Sequence, residues 1–130
     1  MRKIFLVVLV TILSTLLLTA CASRSSNAPA KAVEDYLKAL VAKDENRLST
    51  LSCSNWENEA LVELDSFQGV TARLEDVSCS QTGTDGATAL VLCKGKIVAT
   101  YNNEDQDLDL SVRTYQVVQE GGEWLVCGER

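Results

Sequence analysis

The stretch AVEDYLKALVAKDENRLSTL, residues 32 to 51, repeats its apolar residues with the period of an α-helix and decides the first half of the fold. The first predicted helix starts at Ala30, because the ring of Pro29 suits the first turn of a helix. Asp44 is then the expected cap of a second, short helix. The inner face of the first helix carries five apolar residues: Val33, Tyr36, Leu37, Leu40 and Val41.

A third helix is predicted from the order Ser54-Asn55-Trp56-Glu57, which matches a capping box. In such a box the serine oxygen accepts a hydrogen bond from an open backbone amide, and the glutamate reaches back to the cap residue. The inner face of this helix is expected to carry Trp56, Ala60, Leu61 and Leu64. Three helices therefore precede the first strand.

After Gly69 the apolar period shortens towards two, which is typical of β-strands. Strands are predicted at residues 70–79, 87–101, 108–119 and 123–128, with turn-rich segments between them. Consecutive strands joined by short turns form an antiparallel meander. The fold class is therefore predicted as α+β, with N-terminal helices packed on one face of a curved, four-strand antiparallel sheet.

The stretch of residues 32–51 and the closing GGEWLVCG of residues 121–128 resemble the nuclear-transport-factor-2-like superfamily, over residues 31–130 of the chain. The resemblance implies a cone-like domain in which the curved sheet wraps around the helices. In some members the hollow of the cone is a ligand or catalytic pocket, and in others it is filled core. The fold alone does not choose between these uses.

The cysteines of the domain predict a disulfide framework. Four of the five cysteines lie there: Cys53, Cys79, Cys93 and Cys127. If the chain is exported, as its N-terminal segment predicts below, an even number indicates two disulfides, with three possible connectivities. If residues 84–86 close the first hairpin, Cys79 and Cys93 fall opposite each other. The Gly121-Gly122 turn places Cys127 on the other face, predicted to look towards the helices, where Cys53 is its expected partner.

Residues 1–20 are predicted to be a secretory signal peptide. Arg2 and Lys3 provide a positive start, and residues 4–18 form an apolar run interrupted only by hydroxyl residues. This run is shorter than the roughly 20 apolar residues that a membrane-spanning helix needs.

The order Leu18-Thr19-Ala20-Cys21 resembles the lipobox of bacterial lipoproteins. The resemblance implies cleavage between Ala20 and Cys21 and attachment of a diacylglycerol to the Cys21 sulfur. Two or three acyl chains hold a protein durably on a bilayer. Residues 21–30 are then a lipidated, flexible tether to the domain of residues 31–130. The protein is expected in the cell envelope, on the outer face of a bacterial membrane.

The charge balance bears on the choice of partner. Arg2 and Lys3 are the only charged residues of the segment 1–20, so the mature chain has ten basic and 18 acidic residues and a net charge of −8. This charge disfavours nucleic acid, whose phosphates require a basic patch. It also disfavours attraction to anionic lipid headgroups, which leaves membrane attachment to the lipid on Cys21.

The sequence predicts no catalytic residue and no cofactor. It contains no histidine, which excludes every histidine-based triad or dyad. The steroid-isomerase branch of the resembled superfamily combines carboxylates with a tyrosine. Tyr36, Tyr101 and Tyr115 are available here, but no spacing singles out one carboxylate as buried.

No metal site is predicted either. Asn103, Asp105, Asp107 and Asp109 alternate as in a calcium loop. The EF-hand pattern nevertheless fails, because Leu108 and Thr114 occupy the positions that require glycine and glutamate. A polar hairpin turn that leads into a strand with exposed acids is the expected structure.

The second apolar face of the predicted sheet is the expected site for a partner. Because the helices cover only one face, the other must be exposed to water, covered by the curvature of the sheet, or buried by a partner, and an interface with a protein partner or a second copy of the chain is the leading hypothesis. The residues assigned to this partner face are Val91, Ile97, Tyr101, Tyr115, Val117, Trp124 and Val126.

Together these patterns favour an exported, lipid-anchored, non-catalytic binding or accessory domain. It would recognise a protein partner or a small apolar ligand. One alternative is a structural or inhibitory component of an envelope complex. The other is an isomerase-like enzyme that uses the cone as its pocket.

Overall fold

The computed structural model describes residues 27–130, so the predicted signal peptide, Cys21 and residues 22–26 of the tether lie outside the described residues. Three helices come first: α1 (Ala28–Ala42), α2 (Glu45–Thr50) and α3 (Glu57–Ser66). Five strands and one 3₁₀ turn follow: β1 (Thr71–Asp85), β2 (Thr88–Tyr101), β3 (Glu104–Asp109), the turn Leu110–Val112, β4 (Thr114–Glu120) and β5 (Glu123–Glu129).

The first two helices form where the apolar period predicts them. α1 begins at Ala28 with Pro29 in its first turn, so it takes up the last three residues of the predicted tether. It ends at Lys43, whose left-handed backbone turns the chain into α2. The Asp44 carboxylate caps α2 by accepting a hydrogen bond from the Arg47 amide at 3.0 Å. The expected cap residue is therefore confirmed.

The start of α3 differs from the predicted capping box. The helix begins at Glu57, and Trp56 at its cap position makes no side-chain cap bond. The carbonyl of Cys53 instead accepts hydrogen bonds from the amides of Trp56 and Glu57, at 2.9 and 3.0 Å. Because a backbone turn satisfies these amides, the Ser54 side chain is not needed as a cap.

All strand pairs are antiparallel, and the sheet order is β1-β2-β4-β5, with β3 also paired to β2. The fold class is thus α+β, with helices packed on a curved antiparallel sheet, as predicted. The strand count differs, because the predicted strand 108–119 is divided between β3 and β4. The 3₁₀ turn between them is capped by Asp109 and buries Leu110, so β4 returns to β2 beyond the point where β3 ends.

Irregular pairing bends the long hairpin of β1 and β2. The register shifts between Glu75 and Ser78 and again between Gln81 and Gly83. At the first shift Asp76 has a φ of 53°, and Gly95 of β2 has a φ of 93°. A Cβ atom on Gly95 would lie 2.5 Å from the Asp76 carbonyl oxygen, so only glycine allows the two strands to approach this closely.

The helices cover the sheet face that the sequence analysis assigned to a partner, and this assignment is therefore wrong. Five of its seven residues lie in the core, each at most 2% exposed: Val91, Ile97, Tyr115, Val117 and Val126. Trp124 is half-buried against the same core. Only Tyr101 is clearly exposed, at 61%. Alternation along a strand distinguishes two faces but does not state which of them lies under the helices.

The opposite face of β1, β2 and β3 is polar. Arg73 contacts Glu75 and Asp105 at 3.0 and 3.2 Å, and Lys96 contacts Asp107 at 2.7 Å. All of these side chains are at least one-third exposed. This face meets water through charged pairs, so it needs no partner to cover it.

Both predicted disulfides are present in the structure. Cys79 pairs with Cys93 across the β1–β2 hairpin, and Cys53 pairs with Cys127. The predicted orientation of Cys127 towards the helices is wrong, because its neighbour Val126 takes the core position. Cys53 reaches Cys127 from the side instead: its amide donates to the Val126 carbonyl at 2.9 Å, along the free edge of β5.

Within residues 27–130, no helix combines the length and the apolar character that crossing a bilayer requires.

Candidate functional site

A polar cluster lies where α3 meets α1. The hydroxyl of Tyr36 donates a hydrogen bond to Glu63 Oε2 at 2.9 Å and accepts one from Trp56 Nε1 at 3.3 Å. Tyr36 projects from the buried face of α1, whereas Glu63 lies on α3 beside the inward-facing Leu64. The cluster therefore joins the third helix to the first through side chains rather than through a broad apolar contact.

Arg113 extends this cluster to the sheet. Its Nη1 donates to Glu63 Oε1 at 3.0 Å and to Glu129 Oε2 at 3.1 Å. Arg113 follows the 3₁₀ turn just before β4, and Glu129 ends β5, so one guanidinium connects α3 with two strands. Each of these three side chains is at most about one-third exposed. We call the group of Tyr36, Trp56, Glu63, Arg113 and Glu129 the Glu63 clasp.

Tyr115 lies next to the clasp without joining it. Its ring packs against that of Tyr36, with 6.4 Å between the ring centroids. Its buried hydroxyl lies close to Arg113 but makes no hydrogen bond within residues 27–130. The structure thus brings together two of the three tyrosines considered for catalysis, while Tyr101 lies apart at the end of β2.

The protonation states limit what the clasp can do chemically. Burial raises the pKa of Tyr36, and the neighbouring Glu63 charge raises it further, so this phenol stays protonated as a donor. Burial also raises the pKa of Glu63, against the opposing effects of the Tyr36 hydrogen bond and Arg113. Each Glu63 oxygen already accepts a hydrogen bond, one from Tyr36 and one from Arg113, so both oxygens are engaged within the clasp.

The clasp is also filled rather than hollow. Tyr36 and Tyr115 are almost completely buried, in one core with Leu37, Leu40 and Val117. No surface concavity described here is lined by Tyr36, Glu63 or Tyr115. The arrangement fits a structural clasp that fixes α3, and it does not favour the isomerase-like alternative.

The sequence singles out Tyr36 and Tyr115 as candidates, but it does not single out Glu63 and Arg113 in the same way. One signal was available, because Arg113 is the only basic residue between positions 103 and 122, in the middle of a predicted strand. A lone arginine at a half-buried position needs carboxylate partners. The sequence offers no equivalent signal that selects Glu63 from the other acids of α3.

The acids that resemble a calcium loop are used elsewhere. Asp105 contacts Arg73, Asp107 contacts Lys96, and Asp109 accepts hydrogen bonds from Ser111 as the cap of the 3₁₀ turn. Every residue of β3 is exposed, as expected for a solvated acidic strand. Within the described part of the chain, no three metal-ligating side chains are grouped so that they could hold an ion.

A groove of about 580 Å³ opens at the C-terminal end of α1. Lys43, residues 68–71 and residues 100–103 line it, so it lies between the α3–β1 connection and the β2–β3 hairpin. We call it the hairpin groove. Four smaller concavities, of about 280 to 400 Å³, open elsewhere on the surface of residues 27–130.

No protein-family model matches the chain, and no curated protein matches it. Solved structures are similar in fold. A SEC-C motif containing protein from Rhodopseudomonas palustris is 13% identical, with a TM-score of 0.53 over 83% of this chain and 81% of that one. Aln2 from a Streptomyces species is 9% identical, with a TM-score of 0.56 over 83% of this chain and 89% of that one.

At such low identity these similarities concern the fold alone. Helices packed on a curved antiparallel sheet form the α+β fold that the sequence predicts.

Proposed function

We propose that the protein is an exported bacterial lipoprotein whose folded domain is a non-catalytic binding module on the outer face of a membrane. The observation that carries this proposal is the order of features in residues 2–21: two basic residues, an apolar run, and Leu18-Thr19-Ala20-Cys21. Cys21 is the one cysteine outside the two disulfides, so its thiol is available for the diacylglycerol.

The disulfides support export. Disulfides persist in oxidising compartments outside the bacterial cytoplasm and are rare inside it. Here Cys53–Cys127 and Cys79–Cys93 staple a domain of about 100 residues, a size at which a core supplies only modest stability.

The clasp supports binding rather than catalysis. The groups best suited to acid–base chemistry, Tyr36 and Glu63, bond to each other and to Arg113. The features that remain accessible are surface concavities, and the hairpin groove is the largest of those described. A domain of this kind recognises a ligand or partner at its surface and leaves the cone interior as core.

The anchor is tested in a bacterial host that is fed an alkyne-labelled fatty acid and produces the full chain. We expect the protein to carry the label, to fractionate with membranes, and to begin at Cys21 by mass spectrometry. Cys21→Ser should abolish both the label and the membrane fractionation, because serine cannot form the thioether. Ser23→Ala, two positions further on, is the matched control and should behave as the unmodified sequence does. Equal labelling of Cys21→Ser would overturn the anchor.

A further inference from the structure

We propose that the hairpin groove binds an uncharged oligosaccharide, whose sugar ring stacks on the exposed ring of Tyr101 and whose hydroxyls bond to the surrounding amide side chains. This inference gives a ligand class to the binding role proposed above and rests on that role; only the support from the position of the groove uses the predicted lipid anchor. Its support comes from the charge, the free polar groups, the aromatic ring and the position of the groove.

The lining of the groove is almost free of charge. The chain has 18 acidic residues, yet none of the nine groove-lining residues is acidic. The one charged residue is Lys43, and its ammonium group donates a hydrogen bond to the Val70 carbonyl at 2.6 Å. A cationic ligand would find no carboxylate in the lining. An anionic ligand would have to compete with the Val70 carbonyl for the Lys43 ammonium group, which is the only cation of the lining. A neutral ligand therefore fits this lining best.

Several neutral polar side chains in the groove are free. The amides of Gln68, Asn102 and Asn103 and the hydroxyl of Thr71 make no side-chain hydrogen bond to another described residue, and all four residues are exposed. Each amide offers two donors and one acceptor oxygen, which suits a hydroxyl group because a hydroxyl both donates and accepts. A ligand with many hydroxyl groups is the neutral class that uses such an array.

Tyr101 supplies the apolar part of the site. It is 61% exposed, a large fraction for an aromatic residue in a domain whose other two tyrosines are buried. A sugar ring has an apolar face of C–H groups that packs on an aromatic ring, while its edge keeps its hydroxyls for polar contacts. Tyrosine suits such mixed contacts because its body is apolar and its tip is polar.

The aromatic ring is presented on a rigid turn. Tyr101 pairs with Glu104 at the end of the β2–β3 hairpin, and only Asn102 and Asn103 lie between them. Both asparagines have a left-handed backbone, with φ values of 51° and 65°, as a tight two-residue hairpin turn requires. A ligand therefore does not have to order this part of the site, and binding loses less entropy.

The position of the groove suits a ligand outside the membrane. The predicted anchor, Cys21, is six residues before Asn27, a distance of at most about 20 Å even when fully extended. α1 starts at Ala28 and its 15 residues span about 22 Å. The groove lies beside Lys43 at the other end of this helix. The tether and the groove are thus at opposite ends of α1.

The test uses the protein as the bacterial host produces it from the full chain, kept in detergent, and three probes: the hexasaccharides of β-1,4-linked N-acetylglucosamine, β-1,4-linked glucose and α-1,4-linked glucose. Isothermal titration calorimetry should give a dissociation constant of about 1 mM or lower for at least one of the three probes. Tyr101→Ala should weaken binding at least about tenfold, whereas Tyr101→Phe, which keeps the ring, should retain most of it. Val112→Ala, at an exposed apolar residue outside the groove, is the control and should bind as the unmodified protein does.

Circular dichroism checks that each variant is folded, and Tyr101 is exposed enough for its replacement to leave the core intact. Absence of binding by all three probes, or binding that Tyr101→Ala does not weaken, would overturn the groove assignment. The fatty-acid label on Cys21 reports on the anchor separately. A labelled protein that binds no saccharide contradicts this inference alone, and an unlabelled protein that binds one contradicts the anchor alone.

Discussion

Cys53 and Cys127 are 74 positions apart in the chain, yet their Cα atoms lie 5.2 Å apart and their sulfurs are bonded. The bond fixes the segment after α2 to β5, which is an edge strand of the sheet. Two backbone hydrogen bonds flank it, because Val126 donates to Leu51 and accepts from Cys53, each at 2.9 Å. The helical layer and the last strand are thereby held together covalently at one edge of the domain.

Loss of this bond should destabilise the domain more than loss of the other disulfide. In the chain-entropy model, opening the loop between Cys53 and Cys127 costs about 4 kcal/mol, whereas opening the 14-residue loop between Cys79 and Cys93 costs about 3 kcal/mol. The double variants Cys53→Ala/Cys127→Ala and Cys79→Ala/Cys93→Ala are compared by urea unfolding. A larger loss from the second pair would mean that packing of its buried sulfurs outweighs loop entropy.

The fold class follows from sequence periods, but the buried face of the sheet does not. The helical spacing from Val33 to Leu40 and the shift towards a period of two after Gly69 are local signals, and both elements form. Alternation in a strand separates two faces without naming the inner one. The prediction that Cys127 faces the helices exchanged the inner and outer faces of the sheet. That orientation is not required for the Cys53–Cys127 bond, since a cysteine on an edge strand can be reached from the side.

The contacts of the Glu63 clasp could not be predicted from the sequence, for a different reason. Glu63 and Arg113 are 50 positions apart, and their contact depends on how α3 lies across β4 and β5. No periodic pattern encodes that placement, because α3 buries only Ala60 and Leu64. The 3₁₀ turn at Leu110, which positions Arg113, also interrupts what alternation predicts as one continuous strand.

The two buried tyrosines should respond differently to loss of their hydroxyl groups. Tyr36→Phe removes the donor to Glu63 Oε2 and the acceptor for Trp56 Nε1, leaving partly buried groups unpaired. We expect it to cost about 1 to 3 kcal/mol in the free energy of unfolding. Tyr115→Phe removes a buried hydroxyl that has no hydrogen bond within the described residues, and its cost should stay within about 0.5 kcal/mol.

Urea unfolding of both variants, followed by circular dichroism, gives the comparison. The two substitutions delete the same atom from residues that are 0% and 1% exposed, so ring burial is matched. Equal losses from the two variants would contradict the different hydrogen bonding of Tyr36 and Tyr115.

Glu63 should make the stability of the domain fall as the pH rises. Burial raises the pKa of Glu63 above its ordinary value of 4.5, so the folded state holds this proton more tightly than the unfolded state. The contribution of protonated Glu63 to the free energy of unfolding is complete below pH 4.5 and is lost as the pH rises through the pKa of Glu63 in the folded state. The unmodified protein should therefore lose stability relative to Glu63→Gln over that range, since glutamine cannot ionise.

Asp35→Asn is the control, because ionised Asp35 should make the stability of the domain rise with pH. Burial opposes ionisation of Asp35, but hydrogen bonds and charge from Lys31 and Lys38 outweigh it and lower the pKa below 3.8. Its contribution is present above that value and is lost as the pH falls. Urea midpoints measured between about pH 3 and 8 separate the two effects. A Glu63→Gln difference that grows with pH in favour of the unmodified protein would show that Glu63 acts as an ordinary ion pair.

Gly95 should be the least replaceable glycine of the β1–β2 hairpin. In Gly95→Ala the new Cβ would lie 2.5 Å from the Asp76 carbonyl oxygen, and the φ of 93° is unfavourable for any residue with a side chain. We expect a loss of at least about 2 kcal/mol in the free energy of unfolding. Gly83→Ala is the matched control, because no atom lies within 4 Å of the added Cβ there, and its effect should stay within about 0.5 kcal/mol.

The hairpin also contains Cys79 and Cys93, so the same variants can be examined with this disulfide reduced. The bond holds the strands together two residues from Gly95, and the clash forces them apart. Gly95→Ala should therefore be more damaging in the oxidised protein, in which β1 cannot move away from β2, than in the reduced one. If both forms lose the same stability, the backbone conformation of Gly95 and not the close approach of Asp76 is what requires glycine.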